Sequence, residues 1–283
     1  MCSRPSPASS SEQLTPLLRL YAEALARLRA SRTLRRSGAL WLAAGLLCSE
    51  ALAVALTLVQ GGSATEAAAL STLVWWAAIS AVFIGGAAML VTPDGAPVDR
   101  YGVPNGLTAL RAWLCVPILL IAWLPFPGRT ALALWAGVGG AVGLLDAVDG
   151  FIARSVGPIT ALGKGLDPFM DALFFLSAAF GCYLLGITTL WLSILIAVRY
   201  AAPLLVTPFV FLARRRPELV HTVWGRRNTL LTGVVFFVLF WVRAAGGPVW
   251  IAALVFGLPA LVPTAVLHFI ALARRVAAAP VAA

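Results

Sequence analysis

Leu144 to Phe175 reads LLDAVDGFIARSVGPITALGKGLDPFMDALFF, and this stretch decides the architecture. It sets four aspartates, Asp146, Asp149, Asp167 and Asp171, into runs that are otherwise apolar. At 3.6 residues per turn, Asp146, Asp149, Gly150, Ala153 and Arg154 fall within a helical sector of about 140°. Gly163, Asp167 and Asp171 recur every four residues and form a stripe on the next helix. Pro158 belongs to a short turn between them, so the two helices are expected to be antiparallel neighbours with converging carboxylates.

The surrounding chain says what kind of helices these are. Its 283 residues are 61% hydrophobic and only 11% charged, with a net charge of +10 and a mean hydropathy of +0.93. Soluble domains carry about a quarter charged residues. So little charge cannot coat so much apolar mass, and disordered chains show the opposite composition. An all-α, polytopic membrane helix bundle is the expected fold, because lipid offers no partner to an open backbone.

A span needs about 20 predominantly apolar residues. Eight candidates meet this: 39–60, 67–91, 106–126, 130–153, 162–185, 189–213, 229–245 and 249–272. Turn chemistry such as Gly61-Gly62-Ser63 and Gly246-Gly247-Pro248 separates them. With the Arg-rich N-terminal segment in the cytoplasm, alternating spans place nearly all loop Arg and Lys on that side, with Arg129 and Arg243 as exceptions. Both termini and the Asp cluster are therefore expected to face the cytoplasm of a multi-pass protein, in a bacterial inner membrane. The positive charge is topological, and no nucleic-acid partner is expected. Leu14 to Leu34 also has the apolar spacing of a helix lying on an anionic leaflet, an alternative to a solvated tail.

Carboxylates at membrane depth are expensive and mark a functional site. Four of the eleven acidic residues lie together here, and in a partly desolvated cleft they stay ionised only with cations among them. Oxygen donors without His or Cys favour Mg²⁺, or else Mn²⁺. Two such ions suit displacement at phosphorus. Small Gly150, Ala153 and Gly163 leave room for a bulky group, and Arg154 offers a fork for phosphate. These residues point to metal-assisted phosphoryl transfer at the membrane surface.

The run from Asp146 to Asp171 resembles the signature of the CDP-alcohol phosphatidyltransferases, D-x2-D-G-x2-A-R-x8-G-x3-D-x3-D, at every fixed position. Pro104-Asn105-Gly106-Leu107-Thr108-Ala109-Leu110-Arg111 is similar to the family's P-N-x-L-T-x-x-R entry to its first core helix. Gly225-Arg226-Arg227-Asn228-Thr229 is similar to a G-K-x-x-T element, with Arg in place of Lys. The resemblance covers about residues 104–275, a six-helix catalytic core. It leaves a basic segment, 1–38, and two extra N-terminal transmembrane helices, 39–91, outside it.

The resemblance implies that an alcohol attacks the β-phosphate of a CDP-linked lipid such as CDP-diacylglycerol, releasing CMP in phospholipid biosynthesis. It implies that Asp146, Asp149 and Asp167 hold two metal ions. Asp171 would complete the second metal site and act as base. Asp149, Gly150, Ala153, Arg154 and Gly163 would accommodate the cytidine diphosphate, assisted by Asn105 and Thr108. A homodimer is also implied. Leu166-Asp167-Pro168-Phe169-Met170-Asp171 is similar to the L-D-P-x-x-D of members that use glycerol 3-phosphate. Ala172 and Tyr200 depart from that pattern, so inositol phosphate, serine or an uncommon polyol stay open as acceptors.

Lys164, Arg199 and Arg226 are candidates for holding acceptor phosphate. Arg199 lies inside an apolar run, where an unpaired cation is costly, and a buried pair with one of the Asp residues is its alternative. Glu50 in the first span has no basic neighbour on its helix. His221 and His268 read as interfacial, and the four scattered cysteines as small hydrophobes. An Asp-rich, Mg²⁺-dependent intramembrane prenyltransferase and a carboxylate-lined cation transporter are the competing functions. The first lacks the D-G-x2-A-R run, and the second calls for acids nearer the bilayer centre.

Overall fold

A computed structural model describes residues 16–145, 160–212 and 222–278. Among the described residues there are nine helices: α1 (Pro16–Ala30), α2 (Arg32–Gln60), α3 (Thr65–Gly85, closing in a 3₁₀ turn at Gly86–Met89), α4 (Gly102–Trp123), α5 (Thr130–Leu145), α6 (Ala161–Leu184), α7 (Leu190–Leu212), α8 (Val223–Ala244) and α9 (Val249–Ala278). Six of them, α2, α3, α4, α6, α8 and α9, are long and apolar enough to cross a membrane. Shorter apolar helices, Thr130–Leu145 and Leu190–Val206, lie where the other two spans are expected. Outward-facing apolar side chains fit a lipid surround, Leu40 and Leu230 being 72% and 71% exposed.

Local chemistry sets the ends. Ser31 caps α2 by accepting from the Leu34 amide at 3.2 Å, so α2 begins at Arg32, before the expected start at 39. Its 29 residues span about 44 Å, more than the roughly 30 Å hydrocarbon layer, and the overshoot carries Arg32, Arg35 and Arg36. Gly61 (φ 113°) and Gly62 (φ 82°) then turn the chain into α3 in a conformation that glycine adopts freely. α8 likewise starts earlier than expected: Thr222 caps it through the Gly225 amide at 2.9 Å. α4 loosens at Leu114, because Pro117 has no amide for the Trp113 carbonyl.

α4 is the central helix. Its apolar window is 61% buried, against 22–33% in the other five. On one side it interlocks with α2: Trp41 of α2 covers Gly106 of α4, and Trp113 of α4 covers Gly45 of α2. Tyr101, just before α4, packs on Gly38, stacks on Phe83 at 4.1 Å, and donates to the Phe83 carbonyl at 3.2 Å. Burial pushes its phenol far above the usual tyrosine range, so it stays a neutral donor. The indole of Trp75 donates to the Ala112 carbonyl at 2.7 Å. The N-terminal helices are thus packed onto the first helix of the expected core, and that core's other face meets α6.

Candidate active site

Residue numbers rise together along the contacts between α4 and α6, so the two helices run in the same direction, and their polar residues meet in register as a ladder. At the first rung, Asn105 donates to the Tyr101 carbonyl at 2.7 Å and to Thr160 Oγ1 at 3.3 Å. Thr160 caps α6 by accepting from the Gly163 amide at 3.1 Å. A Cβ on Gly163 would come within 3.0 Å of Asn105 Oδ1, so glycine permits the close approach. At the second rung, the Thr108 hydroxyl lies 3.0 Å from the Pro104 carbonyl and 3.3 Å from Asp167 Oδ1. At the third, Arg111 Nη2 donates to Asp171 Oδ1 at 2.5 Å. Three positions on α4, spaced i, i+3, i+6, answer three on α6, spaced i, i+4, i+8.

Burial divides the labour. Asn105, Thr108 and Arg111 are buried, whereas Asp167 is exposed and Asp171 partly so. Thr108 and Arg111 thus hold the two α6 carboxylates from the buried side, with Asp167 the more open of the pair. Pro168, between the two aspartates, also removes the helical donor to the Lys164 carbonyl. Lys164 is exposed one turn before Asp167. Asp146, Asp149, Gly150, Ala153 and Arg154 lie outside the described residues, as does His221.

The other side of the site is α7 and α8. Arg199 is 7% exposed, and its guanidinium carbon lies 4.9 Å from the centre of the Tyr200 ring. Its Nη2 makes a long 3.5 Å contact with the Gly225 carbonyl. Its buried Nε has no partner among the described residues. The expected alternative, a buried pair with an Asp, is not present there. Tyr200 stacks on Phe175 of α6, one turn past Asp171, at 4.5 Å, and donates to Thr229 at 3.1 Å. This brings the Arg199 turn of α7 to the Asp171 turn of α6. Arg226 is exposed on the first turn of α8, beside the carbonyl that Arg199 touches.

His268 is buried rather than interfacial, 2.7 Å from the Thr222 cap of α8 through Nδ1. An apolar cavity of about 470 Å³, lined in part by Phe174 and Phe175 one turn past Asp171, opens between α4, α5, α6 and α8. Glu50 Oε1 is buried without a partner among the described residues.

Arg111 is the residue that sequence reasoning passed over as a site residue. It ends the P-N-x-L-T-x-x-R element, but only the structure supplies its partner 60 positions along the chain. The family model for CDP-alcohol phosphatidyltransferases matches residues 101–271, which takes in both helices of the ladder. The chain belongs to this family. It is therefore a multi-pass CDP-alcohol phosphatidyltransferase of phospholipid biosynthesis, acting on a CDP-alcohol and an alcohol acceptor. It is 31% identical over 154 residues to a probable phosphatidylglycerophosphate synthase of Mycobacterium tuberculosis (strain CDC 1551 / Oshkosh), covering 53% of this chain and 70% of that one. The same figures hold for the protein of that name in strain ATCC 25618 / H37Rv. No solved structure matches the chain. The prenyltransferase and transporter alternatives fall with the family assignment, whereas the N-terminal helices lie outside the matched region.

Proposed function

We propose that this phosphatidyltransferase moves the phosphatidyl group of CDP-diacylglycerol to glycerol 3-phosphate at a cytoplasm-facing site. The observation that carries the site assignment is the ladder, in which buried Thr108 and Arg111 bond Asp167 and Asp171 while Asn105 bonds the Thr160 cap of the same helix. The name of the mycobacterial relatives supports the acceptor, as does the L-D-P-x-x-D run of residues 166–171.

Family members generally use divalent metal ions. Asp167 and Asp171 fit such an ion: they are oxygen donors four residues apart on one helix face, the first exposed and the second partly buried. Among the described residues they have no third His, Cys, Asp or Glu with which to form a complete set, and Asp146 and Asp149 are the candidates to complete it. Two Mg²⁺ or Mn²⁺ ions so held would neutralise diphosphate charge in the displacement.

The chain's own groups do the rest. Asn105, Thr108, Gly150, Ala153, Arg154 and Gly163 shape the cytidine diphosphate site. Arg199, with Lys164 and Arg226 at the rim, draws the acceptor phosphate. The cavity lined by Phe174 takes donor acyl chain. The acceptor hydroxyl oxygen bonds to the β-phosphorus, the bond from that phosphorus to the bridging oxygen breaks, and CMP departs. Asp171 accepts the hydroxyl proton, and Arg111 fixes its position.

The test is CMP release by purified protein with CDP-diacylglycerol and Mg²⁺, comparing glycerol 3-phosphate, inositol phosphate, serine and no acceptor. Release that depends on glycerol 3-phosphate is expected. Release driven by another acceptor refutes the acceptor assignment, and undiminished turnover by Asp171→Asn refutes the base.

A further inference from the structure

The N-terminal helices make a connection to the site that the family region does not contain. Arg27 of α1 reaches into the segment after α3 and donates to four backbone carbonyls. Nη1 contacts Ala87 O at 2.9 Å and Ala88 O at 3.4 Å; Nη2 contacts Leu90 O at 3.0 Å and Val98 O at 3.3 Å. Ala87 and Ala88 lie in the turn that closes α3, where carbonyls carry the negative end of the helix dipole, and Leu90 and Val98 lie just beyond it, so a guanidinium fork can serve all four as a second donor or a first. Ala87 and Leu90 are themselves fully buried.

The segment held by Arg27 in turn holds the start of α6. The carbonyl of Val91, next to Leu90, accepts from the Ala161 amide at 2.9 Å. That amide is the first of α6 and would otherwise lack a partner. Leu162 fills the space that a Cβ on Gly86 would need, its Cδ1 lying 2.5 Å from that position. The Met89 methyl lies 3.3 Å from the corresponding position on Gly165. Within three further turns α6 carries Gly163, Asp167 and Asp171.

Resting on the assignment of those aspartates to the active site, we infer that Arg27 is a positioning residue for catalysis: through the 86–98 segment it holds the first turn of α6 in register with α4. The N-terminal helices are a built-in brace of the site rather than an accessory. Without the brace, the Asn105–Gly163, Thr108–Asp167 and Arg111–Asp171 rungs can slide, and Asp171, which acts only as the hydroxyl is deprotonated, loses its alignment.

In full-length protein, Arg27→Ala is expected to lower kcat about tenfold per folded molecule, the scale of a sub-ångström misplacement, with KM for CDP-diacylglycerol within about twofold. Arg27→Lys, which keeps the charge but not the fork, should recover part of the loss. Amide hydrogen exchange should quicken at 161–167 in Arg27→Ala and stay unchanged at 190–206. Wild-type kcat in Arg27→Ala, or a uniform loss of protection, overturns the inference.

A second measurement needs no variant. Coupling is reciprocal, so CDP with Mg²⁺ added to the wild type should slow exchange at 86–91 together with 161–171. Protection at 161–171 alone overturns the brace while leaving the proposed site standing. Protection at neither overturns both.

Discussion

Replacing Arg111 separates what the ladder does for stability from what it does for chemistry. Arg111 is 1% exposed and Asp171 18% exposed, so Arg111→Leu leaves a largely buried carboxylate without its guanidinium. Losing one partner of a buried pair costs about 3–5 kcal/mol, and the partial access of Asp171 to water puts this case near about 3. The guanidinium also lies 5.8 Å from the Phe174 ring centre, a contact worth about 0.5–1 kcal/mol that disappears with it. A carboxylate released from that bond and moved by about 1 Å suffers a loss on the order of 10²-fold in turnover. The Arg111→Leu/Asp171→Leu double variant should regain most of the lost stability, since apolar side chains replace buried pairs at little net cost. It should nevertheless stay inactive. Denaturant unfolding in micelles and CMP release, measured on wild type, both single variants and the double, complete the cycle. A coupling energy below about 0.5 kcal/mol, the scatter expected of independent sites, would refute the pairing. Arg111→Leu turning over at the wild-type rate would refute its positioning role.

Chelation of divalent ions by EDTA should abolish CMP release and excess Mg²⁺ should restore it; activity that survives chelation contradicts the assignment of Asp167 and Asp171 as ligands. Gly106→Ala drives a methyl into Trp41 and should cost about 1–3 kcal/mol in detergent unfolding, with Trp41→Ala relieving the clash in the double variant. Removing residues 1–91 strips the Trp41, Trp75 and Val91 contacts from α4 and α6, so no folded, active core is expected, and an active truncated protein would contradict that. In a Cys2→Ser/Cys48→Ser background, a membrane-impermeant thiol reagent should label Ser63→Cys from outside intact cells and reach Asp94→Cys only after permeabilisation; the reverse pattern would invert the orientation.

Hydropathy reports what a segment gains from lipid, so it found the helices but misjudged where some begin. α8 starts at Val223 rather than 229 because its first turns are polar, yet that polarity is consumed inside the bundle. The Asn228 amide donates to Thr264 Oγ1 at 2.8 Å and to the Leu261 carbonyl at 3.2 Å, both on α9. A hydropathy window counts such a residue as loop because the bond that offsets its burial belongs to another helix. The aspartates stood out for the opposite reason: carboxylates at four-residue spacing on an apolar helix are costly without partners, and the structure supplies partners for Asp167 and Asp171 on α4.

Arg111 lay between these cases. Asn105, Thr108 and Arg111 form a polar stripe at three-residue spacing on an otherwise apolar helix, and a stripe buried in a bundle must be answered by a second one. The answering stripe runs through Gly163, Asp167 and Asp171, and the expected alternation of spans makes the two strands of the ladder parallel. Direction and spacing therefore contained the pairing of Thr108 with Asp167 and of Arg111 with Asp171. The contribution of Arg27 had no such signal, because its acceptors are backbone carbonyls, which every sequence possesses and none displays.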